Sequence, residues 1–305
     1  MITVLINGGL GNQLFQVFAT VAAAIRNQDT YYFLHTPRDA TGKRITYWST
    51  LLHGLRPMTV LPTQANVQRF MQLPTYQEIS FSYNKLPSKT AMNSTPLKLT
   101  GYFQSDKYFA DVRDEIYTKI QLLEQQKGIR TMFANSSWFS CGAVTICMHF
   151  RIGDYMNIQQ AHPILSLEYY RRALKHIIDN VPSSELYDTD MHNDTTRVKF
   201  NVIIFNQACD NAIISDHIRT LNSDPAFATR CQFNKVPDMF EDWKQLLLMS
   251  ICDHNIIANS TFSWWGAYFN QNPKKIVCYP NTWFGPSLSK HDTRDLFPSD
   301  WVKIN

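Results

Sequence analysis

The N-terminal segment contains the feature that most restricts the fold. A short apolar run rich in β-branched residues, at residues 2–6, is followed by the glycines Gly8, Gly9 and Gly11. Apolar residues then recur at helical spacing from Leu14 to Ile25. A strand, a glycine turn and a helix place free backbone N–H groups at a helix N-terminus, where polar or anionic ligands bind. An ordinary tight connection between a strand and a helix has the same pattern. The segment does not match the dinucleotide-binding fingerprint, because Leu14 stands where that fingerprint has a third glycine.

Composition indicates a globular protein, and the length is sufficient for two domains of ordinary size. The chain has 305 residues, of which 44% are apolar and 18% are charged. The net charge of +4 suits an anionic ligand, but no run of Lys and Arg interleaved with aromatic residues indicates a nucleic-acid partner. The six cysteines show no paired spacing, so we expect reduced, buried thiols.

The pattern of apolar residues predicts an α/β fold. In the N-terminal half we predict strands at 2–6, 31–35 and 97–103, helices at 12–27, 47–54 and 107–125, and a loop at 57–96. The C-terminal half is a more regular βαβ series, with strands at 144–150, 202–205, 255–258 and 275–279, and helices at 167–179, 212–221, 243–252 and 263–269. The polar segment 127–140 predicts a junction between domains 1–135 and 136–305.

Three motifs, in order along the chain, resemble those of one enzyme family. They are GGLGNQLFQ at residues 8–16, HFRIGDY at 149–155 and NSTFSWWGA at 259–267, with a smaller match, GYFQS, at 101–105. They resemble the opening motif of the α-1,2-fucosyltransferases (glycosyltransferase family 11) and that family's HxRRGDY and NSSFSWWGA motifs. The resemblance implies the GT-B architecture, with two Rossmann-like domains facing a cleft. Arg151 and the last motif fall in the C-terminal domain, so we expect GDP-fucose on that domain and the acceptor on the N-terminal domain.

The same resemblance implies the reaction. We expect inverting transfer of L-fucose from GDP-β-L-fucose to a sugar hydroxyl, most simply O-2 of a galactose-type unit in an oligosaccharide or glycoconjugate, with no metal and no other cofactor. Another linkage or a protein acceptor is the alternative. A Rossmann oxidoreductase and a sugar-binding module are more distant alternatives. The N-terminus lacks a signal peptide, and no stretch reaches the roughly 18 apolar residues of a membrane span, so we expect a cytoplasmic enzyme without stable membrane insertion.

Arg151 is the candidate for stabilising the leaving group. Cleavage of a sugar–pyrophosphate bond builds negative charge on the β-phosphate. Where no metal is present, a planar guanidinium that binds two phosphate oxygens and a helix N-terminus can meet that charge. Arg151 follows a predicted strand, and the structural alternative is an ion pair with Asp154.

Neighbouring residues complete the predicted catalytic group. His149 lies on the same strand face as Arg151, and the resemblance places it beside the nucleotide; a buried core histidine is the alternative. Asp154 either orients Arg151 or accepts the acceptor proton, and His162 is a second candidate base. The family's second arginine is Ile152 here, which extended backbone directs to the opposite face.

The last motif ends a strand and begins a helix, so its N–H groups are expected to point at the diphosphate, with Ser260 or Thr261 as the cap. Of two adjacent tryptophans, at least one is expected in the core. Positions that are usually acidic in the family carry amides here, and Asp242 could replace the carboxylate missing at Gln245. The predicted donor-binding residues are His149, Arg151, Asn206, Gln207, Asp242, Asn259, Ser260, Thr261, Phe262, Ser263 and Trp264.

Two further segments complete the predictions. The opening loop is expected to meet the acceptor, through Gly9, Gly11, Asn12 and Gln13, because glycines allow close approach and amides suit sugar hydroxyls. Asp188-Thr189-Asp190 has the spacing of a metal-binding Asp-x-Asp motif, but it lies in a polar loop with no strand directly before it. We therefore predict no metal there.

Overall fold

The computed structural model describes residues 1–88, 95–139, 142–182 and 199–305. The chain divides into two compact units, one of Met1–Gln125 with Lys290–Ser299 and one of Gln126–Ser289 with Asp300–Asn305. The predicted junction at 135/136 therefore lies ten residues beyond the division in the structure, which falls inside a helix. The polar residues that suggested a linker continue that helix to Met132, because an exposed helical face is also polar.

The first unit contains short parallel strands with helices. Its elements are β1 (Ile2–Val4), α1 (Leu10–Arg26), β2 (Phe33–Leu34), β3 (Thr59–Val60), α2 (Gln64–Met71), β4 (Thr75–Gln77), β5 (Leu97–Thr100), α3 (Arg113–Lys119) and the start of α4 (Leu122–Met132), with 3-10 turns at His53–Met58, Asp106–Tyr108 and Ala110–Val112. The strands β4, β5 and β1 form one parallel sheet in that order. The pair β2–β3 is also parallel, and a bridge from Ile2 to Tyr31 leads from β1 towards it.

The predictions for this unit were partly wrong. Turns and a 3-10 segment replace the helix predicted at 47–54, and the helix predicted at 107–125 is broken, with Gln121 at φ +57 between α3 and α4. The loop predicted at 57–96 contains β3, α2 and β4. In α2 only Phe70 is buried, so the apolar periodicity that would reveal a helix is absent; its start is instead capped by the Thr63 side chain, which accepts from Asn66 N.

The second unit is a six-stranded, fully parallel sheet with strand order β11-β10-β9-β6-β7-β8. Its elements are β6 (Val144–His149), α5 (Leu167–Asn180), β7 (Phe200–Phe205), α6 (Asn211–Ser223), β8 (Cys231–Lys235), α7 (Asp242–Ser250), β9 (His254–Ile256), α8 (Thr261–Tyr268), β10 (Val277–Pro280) and β11 (Val302–Ile304), with 3-10 turns at Gly153–Asn157, Ala208–Asp210 and Pro286–Leu288. All predicted elements of this half are present. The prediction missed β8 and β11, which are half-polar strands at the two sheet edges.

The core of this unit forms where α5 covers the sheet. Tyr170, Ala173, Leu174 and Ile177 recur at helical spacing and are buried in one cluster with strand residues such as Val202. This is the face that the sequence predicted. The predicted α/β class is confirmed, since both units are built on parallel sheets.

Strand order determines where a ligand would bind in this unit. The chain adds β7 and β8 on one side of β6, and then returns to add β9, β10 and β11 on the other side. The direction in which successive strands are added to the sheet therefore reverses between β6 and β9, although the two strands are parallel. In open parallel sheets ligands bind beyond the carboxyl ends of the strands at this switch point. Two of the sequence motifs, at 149–155 and 259–267, follow these two strands.

Most of the described cysteines are buried, as the sequence predicted. Of the described cysteines, Cys147, Cys231, Cys252 and Cys278 are buried free thiols, whereas Cys209 is exposed because it lies in the turn after β7 rather than in an apolar run. Within the described chain, no helix combines the length and the apolar character that crossing a bilayer requires.

Candidate active site in the second unit

The end of β6 directs alternate side chains to opposite sides. His149 is 4% exposed and Phe150 and Ile152 belong to the apolar core, whereas the Arg151 side chain is 20% exposed. The isoleucine that replaces the family's second arginine therefore faces the core, as the extended geometry predicted. Arg151 is the cationic side chain of residues 149–155, and it remains partly exposed at the switch point.

The Arg151 guanidinium is held by two neighbours. Its Nη2 lies 2.8 Å from Asp154 Oδ1 and 3.0 Å from Oδ2, and its Cζ lies 5.3 Å from the centroid of the Tyr155 ring. The ion pair with Asp154, which was the structural alternative for this arginine, is thus formed. It uses only Nη2, and Nε has no partner among the described residues. Because Nε is buried, an anionic ligand would meet the guanidinium through the part of the side chain that is exposed.

A glycine joins the turn after β6 to the turn after β7. Gly153 N donates to Asp210 Oδ1 at 2.9 Å, and a Cβ at Gly153 would overlap the Oε1 atom of Gln207. Asp210 is buried, and its Oδ2 has no partner among the described residues. The Gln207 side chain therefore lies against Gly153, so this predicted residue is next to the Arg151 turn. Sequence reasoning missed Asp210, which has no motif of its own.

The end of β9 is fastened to the same turn. Asn259 is 1% exposed; its Nδ2 donates to the carbonyl oxygens of Pro163 at 2.8 Å and Trp283 at 3.3 Å, and its own carbonyl oxygen accepts from the Tyr155 hydroxyl at 3.0 Å. Asn259 thus joins three segments around the switch point, two through its side-chain amide and one through its backbone carbonyl. The motifs at residues 149–155 and 259–267, separated by about a hundred residues of sequence, form one structure there.

Ser260 is the N-cap of α8. Its Oγ accepts from Phe262 N at 3.3 Å, which selects Ser260 over Thr261 from the two predicted caps. Thr261 and Phe262 are half-buried, and the Phe262 ring centroid lies 5.6 Å from that of His149. Ser263 is buried and its hydroxyl bonds within the turn. Thr261 and Phe262 are therefore the residues of this turn with surface to offer a ligand.

The two tryptophans of the motif are both core residues. Trp264 and Trp265 are fully buried, and Trp264 stacks on Tyr268 with ring centroids 4.7 Å apart. The prediction that Trp264 binds the donor is therefore corrected. Both positions lie on a helix that is buried almost all round, so neither indole has a solvent-facing side.

A second polar group lies at the ends of β7 and β8. Asn206 Nδ2 donates to Asn211 Oδ1 at 2.9 Å, Asn211 Nδ2 donates to Asp238 Oδ2 at 2.8 Å, and Lys235 pairs with Asp238. These hydrogen bonds, from Lys235 first and then Asn211, hold the pKa of Asp238 below its usual value. Lys235 and Asp238 were missed because β8 was not recognised as a strand.

One predicted donor-binding residue, Asp242, is separate from this arrangement, and the Asp-x-Asp sequence is outside the described part of the chain. Asp242 is the exposed first residue of α7, and its Oδ1 accepts from Trp243 N, so it stabilises that helix start. The Asp-x-Asp sequence at Asp188 and Asp190 lies outside the described residues.

His149 and His162 differ in environment. Burial, and to a lesser degree the Arg151 cation, lowers the pKa of His149 to about 3, so this imidazole is neutral near pH 7 and is a poor proton acceptor. Its Nδ1 has no partner among the described residues. His162 is half-buried and stacks on Tyr155, with ring centroids 5.0 Å apart and an interplanar angle of 24°. Of the two, only His162 keeps part of its surface exposed.

His149 should make the protein sensitive to acid. An unfolded histidine titrates near pH 6.5, so below that pH the unfolded state binds a proton that the folded state refuses until about pH 3. This group then lowers stability by about 1.4 kcal/mol for each pH unit between these values. We expect urea denaturation of His149→Asn to show a shallower loss of stability between pH 6.5 and pH 5 than wild type. Equal slopes would show that His149 is not buried in its neutral form.

The opening loop of the first unit combines exposed and buried residues. Gly9 is exposed as the N-cap of α1, and Asn12 is half-buried with its Oδ1 accepting from Gln104 Nε2 at 3.1 Å. Gly11 is buried in the first turn of the helix. Gln13 is 1% exposed, and its Nε2 donates to Gly8 O at 2.8 Å and to Ile45 O at 2.7 Å. The structure therefore corrects the expectation that Gln13 meets an acceptor: this amide holds the loop, and Gly9 and Asn12 keep the exposed surface.

Comparison with known proteins identifies the family. A sequence profile described as Glycosyl transferase family 11 matches residues 1–305, the whole chain. The chain belongs to glycosyl transferase family 11. The family predicted from the motifs is confirmed, and this family 11 chain is a glycosyltransferase, which excludes the oxidoreductase and sugar-binding alternatives.

Three relatives of this family 11 chain align over nearly all of it. The O-antigen biosynthesis glycosyltransferase WbnK of Escherichia coli is 25% identical, with 98% of this chain and 99% of the relative covered. The alpha-1,2-colitosyltransferase of Escherichia coli is 23% identical, with 97% and 96% covered. The galactoside 2-alpha-L-fucosyltransferase of Caenorhabditis elegans is 24% identical, with 100% of this chain and 79% of the relative covered. Among solved structures, the E. coli ADP-heptose LPS heptosyltransferase II covers 99% of this chain and 89% of its own at 12% identity, with a TM-score of 0.49.

Proposed function

We propose that this family 11 glycosyltransferase transfers L-fucose, with inversion, from GDP-β-L-fucose to O-2 of a galactose-type unit of an oligosaccharide or glycoconjugate, without a metal ion. The observation that carries the proposal is the position of Arg151, a half-buried cation at the carboxyl end of β6, where the strand order reverses. The galactoside 2-alpha-L-fucosyltransferase relative supports the sugar and the linkage.

The proposed roles follow from the geometry. Arg151 and the N-terminus of α8 stabilise the charge that develops on the departing diphosphate, with Thr261 and Phe262 beside it. Asp154 orients Arg151 through their ion pair. The side chain of Asp154 is also 45% exposed, so it is placed to accept the acceptor proton as well. His149 contributes as a neutral hydrogen-bonding group, because burial keeps its pKa too low for proton transfer.

The amide and carboxylate cluster at the ends of β7 and β8 is the proposed nucleoside side of the site. Asn206 is half-buried, and Gln207 beside it is exposed. Amides offer both donors and acceptors, which suits a purine edge or ribose hydroxyls. In this assignment Asn206 and Gln207 stand at positions where the family usually has carboxylates.

One of the relatives supports a second candidate for the donor sugar. One relative is an alpha-1,2-colitosyltransferase, and colitose is L-fucose without its 3-hydroxyl group. A nucleotide-linked colitose would therefore meet the same diphosphate-binding residues. The two donors are distinguished by whether this chain has a partner for the 3-hydroxyl, because a site that binds a hydroxyl rejects the analogue lacking it.

The proposal predicts metal-free binding and transfer. GDP should bind with unchanged affinity in excess EDTA when titrated calorimetrically, because Arg151 and a helix N-terminus take the part of a metal. Transfer from GDP-fucose to a galactose-terminated oligosaccharide, followed by mass spectrometry and linkage analysis, should proceed in the same buffer. A titration with ADP is the control for recognition of the guanine nucleobase.

Specific outcomes would contradict each part of this proposal. Loss of GDP binding on chelation, restored by manganese, would refute the metal-free mechanism. Faster transfer from GDP-colitose than from GDP-fucose would replace the donor. A product linked elsewhere than at O-2 would replace the linkage and leave the donor assignment standing.

A further inference from the structure

Tyr155 connects the two motifs that meet at the switch point. It lies in the 3-10 turn Gly153–Asn157 and is 9% exposed. Its hydroxyl donates to Asn259 O at 3.0 Å, and its ring centroid lies 5.3 Å from the Cζ of Arg151. The same ring stacks on His162 at 5.0 Å. One side chain therefore contacts the end of β9, the candidate catalytic cation and the loop that bears His162.

These contacts restrict the guanidinium of Arg151. An arginine side chain loses considerable rotational freedom when it is fixed, and a cation that is fixed before reaction stabilises developing charge without reorganisation. Asp154 engages Nη2, while the aromatic ring supports the guanidinium by cation–π attraction. The hydroxyl bond to Asn259 in turn fixes the ring, because a phenol anchored at its oxygen cannot swing out of the turn.

A buried tyrosine nearby makes a matched comparison. The Tyr169 hydroxyl also donates to a backbone carbonyl of the strand-end region, Ile257 O at 2.6 Å, and to Cys278 O at 3.2 Å. Tyr169 is equally buried, at 8% exposure, but its hydroxyl joins α5 to the strands β9 and β10. Tyr155 and Tyr169 thus share burial and hydrogen-bond type, and differ in the contact with Arg151.

We propose that Tyr155 is a positioning residue: anchored by Asn259, its ring sets the orientation in which Arg151 meets the diphosphate of the donor. The inference rests on the proposed function of Arg151. It predicts that Tyr155 acts on turnover through Arg151 and contributes little of its own. It also predicts that the loss of binding on removing the ring is specific to the diphosphate and leaves nucleoside binding intact.

The experiment compares Tyr155→Phe, Tyr155→Leu, Tyr169→Phe, Arg151→Ala and the double variant Arg151→Ala/Tyr155→Leu. We expect kcat to fall about threefold in Tyr155→Phe, which keeps the ring, and about tenfold in Tyr155→Leu, which loses the cation–π contact. Tyr169→Phe should lower the thermal midpoint as much as Tyr155→Phe does, with kcat within about twofold of wild type. The double variant should be no slower than Arg151→Ala alone, because the interaction is already lost.

Binding measurements distinguish a positioning role from a purely structural one, because a purely structural role would not change the relative affinity for GDP and guanosine. The ratio of GDP affinity to guanosine affinity should fall in Tyr155→Leu and stay unchanged in Tyr169→Phe. The proposal would be overturned if adding Tyr155→Leu to Arg151→Ala lowered kcat by the same factor as it does in the wild-type protein. It would also be overturned if Tyr155→Leu weakened GDP binding and guanosine binding equally. If Tyr155→Leu does not fold, the same coupling is measured with Tyr155→Phe in both backgrounds.

Failure of the proposed function would be recognised separately. If wild-type protein transfers no fucose from GDP-fucose, the donor assignment fails. The GDP-to-guanosine ratios then decide the role of Tyr155, since they require no transfer.

Discussion

Arg151→Ala should remove nearly all transfer while the protein stays folded. The Arg151 side chain lies at the carboxyl end of β6 and is 20% exposed, so part of its guanidinium can reach the leaving diphosphate. Loss of a charge-assisted contact that strengthens in the transition state should lower kcat on the order of a hundredfold or more. Arg151→Lys keeps the charge without the planar fork, so its activity should be intermediate.

The fold should tolerate this substitution because the ion pair that it breaks is half-exposed. The Asp154 side chain is 45% exposed and becomes solvated when its partner is lost, so the stability cost should not exceed about 1 kcal/mol. Arg172 offers a matched control, since it is an exposed arginine on α5 that pairs with Glu168 at 2.8 Å. Arg172→Ala should leave kcat unchanged. An Arg151→Ala variant that keeps most of the wild-type rate would assign the leaving-group charge to another residue.

Gln13→Ala should destabilise the first unit rather than weaken acceptor binding directly. The buried amide donates to Gly8 O and Ile45 O, and thereby holds the loop before α1 against a segment more than thirty residues away. Alanine leaves both carbonyl oxygens without this donor, which should lower the free energy of unfolding by about 1–3 kcal/mol. Chemical denaturation followed by fluorescence measures the loss, and Gln68→Ala, at an exposed position on α2, is the control with little change.

The activity of this variant separates two explanations. If Gln13 only supports the loop, kcat/KM per folded molecule at low temperature should stay within a fewfold of wild type, and the GDP dissociation constant should not change. Unchanged stability combined with a raised acceptor KM would contradict the burial of this amide and return Gln13 to the acceptor site.

Much of the second unit could be predicted from the sequence because its signals are local. The strand β6 is a continuous apolar run, and α5 shows its buried face at helical spacing, so both were placed nearly to the residue. The edge strands β8 and β11 could not be, since a half-polar strand is recognisable only beside its neighbour. In the first unit α2 was missed for a similar reason, because a short helix with one buried residue has no periodicity to detect.

The sequence by itself determined the family, the α/β class and the arginine at the end of β6, because each depends on residue types at short spacing. The tertiary structure alone decided which polar residues meet. Strand order brings Tyr155 to Asn259 and Asp210 to Gly153 across more than fifty residues of chain. It also decided which motif residues are buried: Trp264 and Gln13 have the chemistry of ligand contacts, yet packing on all sides removes them from solvent. Residue type sets what a side chain can bind, and only the packing around it sets whether a ligand can reach it.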